Sequence, residues 1–219
     1  VVENEMEDYK TFKQVGLYME DSIDMMDNID VDFSEFIGAE TYVDDKYQIQ
    51  LLGFDKAVEN CLLFATFGLS KITETLDECC EIIMASDDDY DSCAEIFMNS
   101  IFYVLSNNLK FRKGLLIEGA DAIVTDFSCK HNKSALYFTE QYIFPDKFTS
   151  IEDKCKIYMC FFITEKEAQY IKQYGCENFE DLLEQKNIDV IDIKRASIIW
   201  DYIREVDRLI HLTVNGETI

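Results

Sequence analysis

Proline occurs once in the 219 residues, at Pro145, and glycine eight times. That scarcity excludes collagen-like, proline-rich and other low-complexity architectures. No apolar run approaches the roughly 18 residues that span a bilayer. The longest, around Cys61 to Leu69 and Tyr158 to Ile163, have the length of buried strands. Basic residues are also few: Lys and Arg total 20 against 44 Asp and Glu, a net charge of −24. A chain without basic patches has no electrostatic footing on nucleic acid, and its field repels anionic membranes. What is abundant is apolar and aromatic. Hydrophobic residues make up 48% and aromatics 13%, which excludes a disordered acidic tail and allows a sizeable core.

The charge is uneven. Residues 1–95 carry a net of −20 and residues 96–219 a net of −4. Such a field attracts cationic proteins or metal ions, and it costs folding stability through self-repulsion. The first fifteen residues are acidic and lack the apolar core of a secretory signal. The eight cysteines are irregularly spaced and several sit in apolar runs, where free Cys behaves as a small hydrophobe. Together these features point to a reducing, cytoplasmic location.

Periodicity predicts the elements. Val15, Tyr18, Met19, Ile23 and Met26 keep a helical spacing in an acidic N-terminal segment over residues 1–35. Tyr47 to Leu51 alternates as a half-buried strand, and Cys61 to Phe67 reads as a central one. A strand over Cys80 to Ala85 leads into the acidic run Asp87-Asp88-Asp89-Tyr90-Asp91. Cys93, Phe97, Ile101, Val104 and Leu105 share one face of the clearest helix, with Asp91 or Ser92 as N-cap. Residues 110–128 read as strand and turn; Ala135 to Phe144 and Cys155 to Ile163 read as strands. Helices near 165–174 and 177–186 flank Gly175, and a final helix carries Ile199, Tyr202, Ile203, Val206, Leu209 and Ile210. No repeat or linker divides residues 36–219, so the expectation is one compact domain. Its class is α+β, a mixed, largely antiparallel central sheet flanked by helices on both faces.

Motifs for chemistry are few. Asp87, Asp89 and Asp91 fall at positions 1, 3 and 5 of a calcium loop, but Ser92 and Met98 stand where that loop needs Gly and Glu. Cys129-x-His131 lacks a second zinc-ligating pair. There is no nucleophile elbow, phosphate loop or dinucleotide fingerprint. Neither cofactor nor metal is expected, and no catalytic residue. Thr164-Glu165-Lys166-Glu167 fits a helix-starting capping box.

Two stretches together resemble the Suppressor of Fused family, specifically its short bacterial members. One is Ala65-Thr66-Phe67-Gly68-Leu69-Ser70. The other runs from Ile163-Thr164-Glu165-Lys166-Glu167-Ala168 through Gly175 and Phe179 to Asp192-Ile193-Lys194-Arg195-Ala196-Ser197. The similarity extends from about Phe36 to Ser197. It implies a mixed sheet flanked by helices and no catalytic residues. It further implies an immunity protein of a polymorphic toxin system, which neutralises a cognate toxin by binding. Animal members sequester a transcription factor with the help of a second domain, for which this chain is expected to be too short. The motif residues Thr66, Phe67, Gly68, Ser70, Thr164, Glu167, Asp192 and Arg195 are expected to be structural. Gly68 would serve a turn, Ser70 would cap the segment after it, and Asp192 would pair with Arg195.

The functional expectation is therefore a free monomer that masks a basic toxin domain, for instance a nuclease. Charge density nominates Asp87, Asp88, Asp89 and Asp91, with Asp44, Asp45 and Asp55 behind them. A general adaptor that takes up a regulator by strand addition is the alternative, and an enzyme or metal protein ranks last.

Overall fold

The computed structural model describes residues 13–15, 36–58, 61–142, 150–151 and 155–199. The first described elements are four strands: β1 (Lys13–Val15), β2 (Phe36–Val43), β3 (Gln48–Val58) and β4 (Cys61–Phe67). A 3₁₀ turn (Leu69–Lys71) and α1 (Thr73–Leu76) lead to β5 (Cys80–Ser86) and the long α2 (Tyr90–Ser106). Next come β6 (Leu115–Glu118), α3 (Ala120–Ile123), α4 (Phe127–His131) and β7 (Ala135–Glu140). β8 (Ser150–Ile151), β9 (Cys155–Ile163), α5 (Glu165–Tyr174) and α6 (Cys176–Gln185) complete the described elements.

The nine strands among the described residues form one sheet in the order β1-β2-β3-β4-β5-β9-β7-β6, with β8 beside β9. Every pairing is antiparallel except β5 with β9, where Cys80 faces Lys156 and Met84 faces Cys160. The chain reaches that parallel pairing by leaving β5 through α2, β6 and β7 before returning at β9, since parallel neighbours need a crossover. β5 is buried along its whole length and β9 at all positions but Lys156, which explains their nearly unbroken apolar sequence.

Alternation along these strands supplies two cores. Ile82, Met84 and Phe162 face the layer containing α2, where Cys93, Phe97, Ile101, Val104 and Leu105 are wholly buried. Ile83, Ala85 and Phe161 face α5 and α6 through Ala168, Ile171, Phe179 and Leu183. The fold is thus α+β, with helices on both faces of a mixed sheet.

Boundaries differ from the sequence reading in several places. α2 begins at Tyr90, and its N-cap is Asp89 in a left-handed conformation (φ 51°); Ser92 only donates to Asp89 Oδ1 at 2.9 Å. Residues 110–128 hold the four-residue β6 and then short helices, not strand and turn alone. Gly114 (φ 84°) and Gly119 (φ 98°) cut the strand short at both ends. A Cβ at Gly114 would stand 2.9 Å from Cys176 Sγ, so this turn must be glycine for β6 to seat against α6. β7 ends at Glu140. Of the predicted N-terminal helix, Val15 is described and lies in a strand; the rest, and the final helix beyond Ile199, lie outside the described residues.

The two-sided packing gives a direct test. Phe97→Ala should lower the unfolding free energy by about 3–5 kcal/mol in urea denaturation, whereas Glu95→Ala on the exposed face of α2 should change it by less than about 0.5 kcal/mol.

Candidate functional site

The Thr66–Ser70 turn surrounds a buried acid. Glu81, in β5, is only 2% exposed. Its Oε2 accepts a hydrogen bond from Thr66 Oγ1 at 2.7 Å, and its Oε1 accepts from Gly68 N at 2.9 Å, Ser70 N at 3.2 Å and Ser70 Oγ at 2.8 Å. Thr66 Oγ1 also accepts from Ile82 N at 2.8 Å, tying β4 to β5. Gly68 takes φ 117°, a left-handed value that aims its N–H at the carboxylate. Burial pushes the Glu81 carboxyl above its ordinary value, against the pull of these four donors. Ser70 thus does not cap the following segment; it holds Glu81. Phe67 is buried in the core shared with α5 and α6. Sequence reading missed Glu81, although one charged residue inside the apolar strand CEIIMAS was a visible signal.

The second motif surrounds another buried acid. Thr164 caps α5 and both reciprocal bonds of the capping box form: Glu167 N donates to Thr164 Oγ1 at 3.2 Å and Thr164 N to Glu167 Oε2 at 2.9 Å. Glu167 has no exposed surface. Arg195 grips it with Nη1 at 2.7 Å and Nη2 at 3.2 Å, and Ile198 N adds a bond at 3.0 Å. The expected Asp192–Arg195 pair is therefore corrected. Asp192 turns its Oδ1 to Lys194 N at 2.7 Å, a local turn contact, while the arginine reaches a partner 28 residues away. Thr164 Oγ1 also donates to Ser197 Oγ at 3.1 Å.

Lys133, wholly buried, donates to Arg195 O at 2.7 Å. Burial, helped by the nearby Arg195 guanidinium, pushes its ammonium down to about 8. Nothing in the sequence marked this lysine, because its neighbours in the chain are polar and its partner Arg195 O lies 62 residues away.

The acids nominated by charge density fall into two groups. Asp87 Oδ1 accepts from Ile193 N at 3.0 Å, Asp88 pairs with Lys194, and Asp89 Oδ2 meets Lys130 at 2.8 Å and buried His131 Nε2 at 2.6 Å. Asp91 is exposed in the first turn of α2. Asp55 lies at the same end of the sheet, since it faces Leu62, which faces Ser86. Asp44 and Asp45 sit in the β2–β3 turn, at the opposite end of β3. Seven residues of strand separate Gln48 from Asp55, about 24 Å at strand rise. Asp44 Oδ1 accepts from Lys46 N and Tyr47 N at 2.8 and 2.6 Å, while Asp45 is exposed. All eight cysteines are free thiols, and among the described residues no three His, Cys, Asp or Glu side chains converge as metal ligands. No helix among them is long and apolar enough to cross a membrane.

Comparison with known proteins adds to this picture. Residues 45–196 match the family described as Suppressor of fused protein (SUFU). Immunity protein YqcF of Bacillus subtilis (strain 168) is 24% identical over 122 residues. The match covers 54% of this chain and 62% of YqcF, so the chain spans less than two thirds of that relative's length. A Suppressor of fused homologue from Neisseria gonorrhoeae superposes with a TM-score of 0.59 at 13% identity, over 80% of this chain and 95% of the other. Drosophila Suppressor of Fused superposes with a TM-score of 0.55 at 12% identity, over 86% of this chain and 52% of the other. At such identities these two structures establish the fold alone.

Two measurements test the buried groups. Glu167→Gln and Arg195→Met should each cost about 3–5 kcal/mol in chemical denaturation, because each leaves a buried partner uncompensated, whereas Asp192→Asn should cost under about 1 kcal/mol. Between about pH 8 and the ordinary lysine value near 10.4, the unfolded chain holds a proton on Lys133 that the folded chain lacks, so this group's contribution to stability rises with pH across that window. The unmodified chain should therefore gain on Lys133→Met by about 2 kcal/mol between pH 7.5 and pH 10, read from paired denaturation curves in which the thiol titrations cancel.

Proposed function

Because this chain belongs to the Suppressor of fused family, we propose that it acts as an immunity protein, binding a cognate toxin domain of basic character and covering the surface that engages its substrate. The single observation that carries this reading is the likeness to immunity protein YqcF. The charge supports it: −24 overall, concentrated in residues 1–95, suits a cationic partner such as a nuclease domain, which must itself engage phosphate. In this reading the protein makes and breaks no bonds, needs no cofactor, and works in the cytoplasm as a monomer until it meets the toxin. Its partner is a protein, not nucleic acid or a membrane.

The acids that remain at the surface are proposed to act mainly on encounter. Asp45 and Asp91 are exposed, and Asp44, Asp55, Asp87, Asp88 and Asp89 add to the field even where one oxygen already serves the fold. Oppositely charged surfaces associate far faster at low ionic strength than neutral ones, and salt removes the advantage. With the purified toxin domain, the association rate should fall by at least about tenfold between 20 mM and 500 mM salt, with a smaller change in dissociation rate, as read by stopped-flow fluorescence. A salt-independent association rate would argue against a charge-steered encounter, and failure to inhibit the toxin at all would remove the immunity reading.

A further inference from the structure

A cleft of about 530 Å³ opens where the end of β7 meets the C-terminal half of α6. Its volume lies within the range of pockets that hold small ligands or single side chains. Leu183, buried in the core, and half-buried Ile188 supply an apolar lining. The ring of Tyr142, 54% exposed, stands among the lining residues and is one of few large hydrophobic side chains so exposed among the described residues.

Three carboxylates line the same space: Glu140, Glu180 and Glu184. Glu180 is fixed in place. Its Oε1 accepts from Tyr137 Oη at 2.8 Å and Thr139 Oγ1 at 2.7 Å, and Lys113, also in the lining, lies 2.6 Å from its Oε2. Lys113 in turn is shared with Glu177 at 3.1 Å, so its charge is already matched inside the protein. Glu140 and Glu184 are exposed, and neither carboxylate has a partner among the described residues. Glu180 and Glu184 are one helical turn apart on α6, so they share a face with Leu183 beside them.

This combination differs from the acidic run at Asp87–Asp89, whose carboxylates are already committed to Ile193, Lys194, Lys130 and His131. Here an apolar wall, a partly exposed aromatic residue and unmatched negative charge occur together. A long cationic side chain needs these three features: a surface for its methylenes, a π face for its charged head and a carboxylate acceptor. Arginine fits better than lysine, because a planar guanidinium can stack on the tyrosine while bonding carboxylates in a fork. We propose that this cleft receives an arginine side chain of the cationic protein partner and serves as the specific anchor of the complex. The proposal rests on the reading above that the partner is cationic, and it assigns that partner a contact point away from the Asp87–Asp91 run.

The test does not require the toxin. The full chain is titrated with N-acetyl-arginine amide, and NMR follows the Leu183 and Ile188 methyl groups and the Tyr142 ring. Saturable shifts at these groups are expected, at least about fivefold tighter than with N-acetyl-lysine amide. Glu140→Gln/Glu184→Gln should weaken them about tenfold, while Asp45→Asn at the β2–β3 turn should leave them unchanged. Equal response to both amides, shifts spread over all acidic surfaces, or insensitivity to the Glu140/Glu184 variant would overturn the proposal. So would sedimentation showing that the chain is a dimer which Tyr142→Ala converts to a monomer, because a second copy would then occupy the cleft. A toxin that is inhibited equally well by the Glu140/Glu184 variant would sink the anchor while leaving the immunity reading intact. Arginine binding in the cleft without toxin inhibition would do the reverse.

Discussion

Glu167 lies at the first turn of α5 without any contact with solvent, and four donors from two stretches of chain, the N-cap at Thr164 and the segment Arg195 to Ile198, converge on it. The arginine that grips it also donates to Phe162 O at the end of β9, and the arginine's own carbonyl receives buried Lys133 from the α4–β7 connection. The same C-terminal segment, through Ile193 N and Lys194, binds Asp87 and Asp88 at the β5–α2 junction, and Asp89 continues the chain of contacts to α4 through His131. One end of the sheet is therefore a continuous polar network running from α5 to α4. Burying so many charges is expensive, and a paired group contributes less than its removal would cost. Such a network fixes one arrangement of loops far more than it adds net stability, and it explains why the family motif residues are concentrated there and at Glu81.

The acidity acquires two distinct roles in this arrangement. Within a chain of charge −24, carboxylates at Asp44, Asp87, Asp88 and Asp89 accept backbone N–H groups or pair with lysines, so part of the negative charge is used to close turns and helix starts. A carboxylate near a helix N-terminus also meets the favourable end of the helix dipole, as at α2. What remains unmatched repels itself and is retained at a cost in stability. Under the role proposed above, that cost would be offset by faster approach of a cationic partner.

How much of this was legible in the sequence follows the range of the interactions. The capping box at Thr164 and Glu167 was readable because both bonds span three residues. The apolar face of α2 was readable from spacing alone. The partner of Arg195 was not: Asp192 is near in sequence and has the right chemistry, yet the short turn at Lys194 holds its carboxylate elsewhere, and the competing acceptor is reached only after β9 and α5 have packed. The parallel pairing of β5 with β9 was likewise invisible, since it joins residues some 76 positions apart through a crossover that no local pattern encodes. The start of α2 was misjudged because Asp89 adopts a left-handed backbone that Asp tolerates but does not announce. Charge density grouped Asp44 and Asp45 with Asp87 to Asp91, and strand geometry separates them, because β3 runs the length of the sheet between the two groups.

That separation bears on how a partner could be chosen. At physiological ionic strength the Debye length is about 8 Å, so a group of acids at each end of a strand about 24 Å apart acts as two local fields and not as one. Local fields of one sign speed the approach of any basic protein and distinguish poorly between basic proteins. Discrimination has to come from shape and from carboxylates held by neighbours that cannot rotate away. Glu180 meets that condition, since Tyr137, Thr139 and Lys113 all fix it, and both aromatic neighbours of Tyr137, Phe161 and Phe179, are themselves core residues. The cleft beside it therefore holds one carboxylate fixed by three partners and two, Glu140 and Glu184, that are exposed. If the proposed immunity role holds, the two features would divide the labour: a diffuse charge for the speed of encounter and a fixed, partly apolar recess for the choice of partner.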